Sequence, residues 1–97
     1  MIKKSNEVSL KEAIDEMLHV YKLKGKVYEA QIINSWGRVM GTMIEKHTRD
    51  LYLKNGKLFI KVDSAALKME LTYSRSKIID RVNHEIGSAI VEEVVLL

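Results

Sequence analysis

The stretch DLYLKNGKLFIKV, Asp50 to Val62, constrains this chain more than any other. An Asn-Gly pair flanked on both sides by alternating apolar and polar residues specifies a β-hairpin with a two-residue turn, because both turn residues must take positive φ. Counting outward from Asn55-Gly56 sets the register: Lys54 faces Lys57, Leu53 faces Leu58, Tyr52 faces Phe59 and Leu51 faces Ile60. Alternation then puts Leu51, Leu53, Leu58, Ile60 and Val62 toward a core, and Tyr52, Lys54, Lys57, Phe59 and Lys61 on the opposite side.

The rest of the chain is organised by periodicity around that hairpin. Ser9 and Glu12 have capping-box spacing, and Leu10, Ala13, Ile14, Met17, Leu18 and Tyr21 follow as one helical stripe expected to end at Gly25. A second stripe runs through Val27, Ala30, Ile33, Trp36, Met40, Met43, Ile44 and His47, with a break expected near Ser35 to Gly37. Trp36, the only tryptophan, lies in phase with Ile33 and Met40 and is read as a core anchor. A long helix is expected from Ser64 to Glu85, with a polar middle from Thr72 to Ser76 where it could bend. Asn83 to Gly87 ends it, and AIVEEVVLL reads as a final strand. The fold class is α+β: N-terminal helices, a β-hairpin, a long helix and a last strand in a three-stranded sheet. The last strand can lie beside either hairpin strand. Residues 1–8 are expected to be a flexible N-terminus and 9–97 a single domain, because 97 residues bury only one core.

Charge singles out the middle of the chain. From Gly37 to Lys61 six basic residues stand against two acidic ones, a larger excess than the +3 of the whole chain. The candidate nucleic-acid-binding set is therefore Arg38, Lys46, Arg49, Tyr52, Lys54, Lys57, Phe59 and Lys61. Lys54 opposite Lys57 repels, so cross-strand stability alone would not choose that pair. An aromatic pair ringed by lysines suits single-stranded DNA or RNA, whose bases stack on rings while ammonium groups hold phosphates. The alternative is an aromatic pair packed under a helix, with lysines protecting an exposed edge from aggregation.

Catalysis finds no support. The chain has no cysteine, no nucleophile elbow, no phosphate-binding glycine loop and no zinc-protease motif. His19, His47 and His84 fall on separate elements without metal-ligand spacing, and Glu92 and Glu93 point to opposite sides of a strand. No enzyme, metal or cofactor is expected. No segment has the apolar length to span a membrane, and a cytoplasmic location is expected.

Trp36, Gly41, His47-Thr48, the strand-turn-strand to Lys61-Val62, Ser64 with Glu70-Leu71, Ile78-Ile79 and Asn83 with Gly87 together resemble the DciA-like proteins, long catalogued as a domain of unknown function. The likeness runs from Ser9 to Leu97 and is nearest to the short forms found in Bacteroidetes. It implies a K-homology-like domain in a bacterial DNA-replication factor that partners the replicative DNA helicase and assists its loading. Two departures qualify what it implies. Gly37 and Gly41 are one residue too far apart for the G-x-x-G backbone clamp. The chain ends at Leu97 without the basic tail of longer members, so DNA contact is expected from the domain itself. A free-standing RNA-binding K-homology-like module and a structural domain forming a homo-oligomer through the last strand remain open as alternatives.

Overall fold

The protein is described by a computed structural model covering the backbone of residues 2–97 and the side chains of residues 9–97. The expected flexible segment, residues 1–8, has its side chains and Met1 outside the described residues. Helix α1 spans Ile2–Met40, α2 Thr42–His47, β1 Thr48–Lys54, β2 Lys57–Val62, α3 Ala65–Tyr73, α4 Arg75–Ile86 and β3 Glu93–Leu96.

The two expected N-terminal helices are one. Gly25 does not end the first, and Ser9 with Glu12 lie inside α1 rather than at its cap. A glycine inside a helix costs about 1 kcal/mol relative to alanine. Breaking the helix there would orphan up to four N–H and four C=O groups, so running through is the smaller cost. The break expected near Ser35 to Gly37 occurs instead at Gly41, whose φ of 93° is open to glycine and strained for other residues. Ser35 stays helical and buried because its hydroxyl donates back to the Gln31 carbonyl at 2.8 Å. Gly37 is covered by the Glu45 side chain folding back from α2.

The hairpin forms in the expected register, from Lys54↔Lys57 out to Leu51↔Ile60. Asn55 and Gly56 have φ of 51° and 77°, as the turn requires. Farther out, Thr48 pairs with Val62 and Asp50 with Lys61, so Arg49 is the extra residue of a bulge. The long helix divides at Ser74 into α3 and α4, within the polar stretch where a bend was expected. Ser64 caps α3, its hydroxyl accepting from the Leu67 N–H, and Gly87 closes α4 in the left-handed conformation.

Strand β3 lies parallel to β2, making a mixed sheet in the order β1-β2-β3. A parallel partner needs a long crossover, and α3 with α4 supplies it. The strand is shorter than AIVEEVVLL suggests. The Asn83 side-chain amide occupies both backbone groups of Val91, donating to its carbonyl and accepting from its N–H, each at 2.9 Å. The ladder therefore begins only at Glu93. The helices share one face of the sheet, where Leu58 and Ile60 are fully buried with Ile32, Trp36, Leu67, Ile78 and Val94. The stripe that enters this core is Ile32, Ser35 and Trp36, not Ile33, which is exposed.

Candidate nucleic-acid interface

The sheet face turned away from the helices carries most of the expected set. Tyr52 on β1 and Phe59 on β2 are cross-strand partners with ring centroids 4.7 Å apart and planes 12° from parallel. That separation matches the spacing of neighbouring strands, so the rings stand on edge from the sheet, face to face. Neither belongs to the core cluster, so the alternative of a pair packed under a helix does not describe it. The stack itself contributes about 0.5 to 1.5 kcal/mol beyond area burial. Each ring has one face covered by the other. Beyond Phe59 the row continues into Val95 of β3, in register with it, while the outer face of Tyr52 looks past the edge of the sheet.

Lys54, Lys57 and Lys61 share this face, and all three are exposed. Two carboxylates that sequence reasoning did not assign here share it too. Asp50 stands opposite Lys61, and Glu93 lies 3.9 Å from Lys57 across the β2-β3 pair. The face is thus less basic than the hairpin alone implies, with Lys54 least compensated. The signal for Asp50 was present in the register; Glu93 could be placed only once β3 was known to lie beside β2. The Gly56 carbonyl helps fix that placement by accepting from the N–H groups of Glu92, at 2.8 Å, and Glu93, at 3.2 Å.

The remaining candidates lie elsewhere. Arg38, on α1, forms a charge-assisted pair with Glu85 of α4, its Nε donating at 2.7 Å. Lys46 is exposed on α2. Arg49, at the bulge, donates through Nε to Asp63 at 2.7 Å, and the His47 ring Nδ1 lies 2.7 Å from the other oxygen of the same carboxylate. These hydrogen bonds, from His47 first and Arg49 second, hold the Asp63 pKa below its ordinary value. The expected set therefore splits into a five-residue sheet face and three separate cations, two of them engaged in ion pairs.

Among the described residues, no cluster of histidine and carboxylate side chains is arranged to hold a metal ion. No described helix is long and apolar enough to cross a membrane. Compared with known families, residues 9–96 match the model described as "Dna[CI] antecedent, DciA". No curated protein matches the chain.

Proposed function

Since the chain belongs to the DciA family of non-catalytic replicative-helicase loaders, we propose that it binds its cognate replicative DNA helicase and assists its loading through weak contact of the open sheet face with single-stranded DNA. The family match over residues 9–96 carries the helicase half of this reading. The half-buried Tyr52–Phe59 stack, outside the core cluster and rimmed by exposed Lys54, Lys57 and Lys61, supports the DNA half. The short-form likeness and a cytoplasmic setting belong to the same proposal.

The ring geometry specifies how a base would join. With the inner faces paired, a base extends the stack from the outer face of Tyr52, and Lys54, beside it on β1, meets the adjoining phosphate. Tyr52→Leu should therefore weaken oligonucleotide binding more than Phe59→Leu, by about 1 kcal/mol or more. Lys54→Glu with Lys57→Glu should abolish binding while leaving Leu53 and Leu58 in place.

Titration of the purified protein against the cognate helicase should give micromolar or tighter affinity, and no association at ~50 μM removes the loader reading for this chain. Fluorescence anisotropy with a labelled single strand at low salt tests the sheet face separately. Equal binding by the wild type and the double charge reversal would return these lysines to ordinary solvated surface. Preference for RNA over DNA, without helicase binding, would favour the RNA-binding alternative.

A further inference from the structure

The space beyond the outer edge of β1 is bordered by α1 as well as by the sheet. Two contacts lay the helix along this edge: the Trp36 indole N–H donates to the Thr48 hydroxyl, and the Glu29 carboxylate accepts the Leu53 N–H, each at 2.9 Å. With residue 36 beside 48 and 29 beside 53, α1 runs antiparallel to β1, and its earlier residues continue toward and past the hairpin turn. By helical geometry Lys26 and Lys22 stand about 60° and about 20° around α1 from Glu29, and about 5 Å and about 10 Å farther along it. Ile32, which enters the core, lies about 60° the opposite way. Both lysines are therefore turned outward past the β1 edge, and both are exposed. The outer face of Tyr52 opens onto the same space, with Lys54 following on the same face of β1 toward the turn.

Charge and hydrogen bonding say what suits this space. Between Glu16 and Glu29 the chain has no acidic residue, whereas Lys22, Lys24 and Lys26 all fall there. The two carboxylates that border the edge are each committed, Glu29 to the Leu53 N–H and Asp50 to the Leu51 N–H at 3.0 Å. Those N–H groups are the ones that alternate outward from the hairpin ladder, so a peptide strand could pair with β1 only by displacing both side chains. A polyanion needs no such donors, only spaced cations. We propose that a single strand stacked on Tyr52 leaves the sheet over the β1 edge, passes Lys54 and continues along α1, where Lys26 and Lys22 hold its next phosphates. The inference rests on the sheet-face reading and extends that site onto a second element.

Fluorescence anisotropy at low salt with labelled oligothymidylates of about 4 and about 12 nucleotides tests the path, because only the longer strand reaches beyond the sheet. Lys22→Glu with Lys26→Glu should weaken the longer strand about tenfold and flatten its salt slope by about 1.4, two phosphates at roughly 0.7 each, while leaving the shorter strand unchanged. Lys24→Glu is the control: it makes the same change of charge about 140° around the helix from Glu29, on the far side, and should cost the longer strand far less than Lys22→Glu alone. Circular dichroism should show the same helix content in every variant, since all three lysines are exposed. Equal losses for Lys22→Glu and Lys24→Glu, or a longer strand that binds the double variant as tightly as the wild type, overturn the path and leave the sheet face in place. A wild type that binds neither length overturns the sheet-face reading, and the path with it.

Discussion

At the scale of single residues, two polar contacts hold elements whose apolar packing alone would leave them free to slide. The Trp36 indole N–H donates to the Thr48 hydroxyl at 2.9 Å, and that hydroxyl donates to the Ile44 carbonyl at 2.6 Å, joining α1, α2 and β1 at one point. Trp36→Ala should cost about 3 to 5 kcal/mol by emptying a core site. Thr48→Val keeps the shape but orphans the indole N–H, and should cost about 1 to 3 kcal/mol in chemical denaturation. Asn83 plays the corresponding part at the other end of the domain. Asn83→Ala leaves both Val91 backbone groups without partners and should also cost about 1 to 3 kcal/mol. A loss below a few tenths of a kcal/mol would mean that water replaces the amide without penalty.

At the scale of elements, the hairpin and its bulge respond differently to charge. Lys54 faces Lys57 and has no carboxylate partner among the described residues, whereas Lys57 has Glu93. Lys54→Gln should therefore stabilise the hairpin by a few tenths of a kcal/mol. Lys57→Gln relieves the same repulsion but gives up its carboxylate neighbour, so it should show a smaller gain or none. The corner where α2 meets β1 depends on Asp63, which serves both His47 and Arg49. Because the folded-state pKa of Asp63 is lowered from 3.8, its stabilising contribution is complete above that value and disappears as pH falls through the lower folded pKa. Comparison of wild type with Asp63→Asn in urea should show a gap near neutral pH that closes as acidification protonates the Asp63 carboxylate of the folded protein. A gap unchanged on acidification would assign the effect of Asn to packing rather than ionisation.

At the scale of the whole molecule, the chain measures 64 × 21 × 20 Å, with helices on one side of the sheet and the aromatic stack on the other. The open sheet face is the surface proposed to meet single-stranded DNA. Only three lysines border that face, and two of them have carboxylate neighbours. Binding of a short single strand should fall only gently with salt, with a slope of log affinity against log salt of about −2 or shallower, at roughly −0.7 per phosphate. A slope of about −5 would require cations beyond this face and would bring Lys46 and the bulge into the interface.

What the sequence alone determined is what short-range chemistry decides. Asn55-Gly56 with alternating neighbours leaves one hairpin register, and Trp36, in phase with Met40, reads as a core anchor and is buried. The Ser64 cap, the bend near Ser74 and the Gly87 stop were legible for the same reason, since each depends on residues within one helical turn. What needed the tertiary structure was every choice between locally equivalent options. Gly25 reads as a stop and Ser35 to Gly37 as a break, yet only at Gly41 does the chain turn to start α2. Leu10, Ile14 and Leu18 read as an apolar stripe just as Ile33 and Trp36 do, yet of these only Trp36 is buried. The edge taken by β3, and with it the carboxylate beside Lys57, rests on contacts of the Asn83 amide and the Gly56 carbonyl across the fold. Periodicity reports which side of an element is apolar; only the assembled sheet decides how much of that side finds cover.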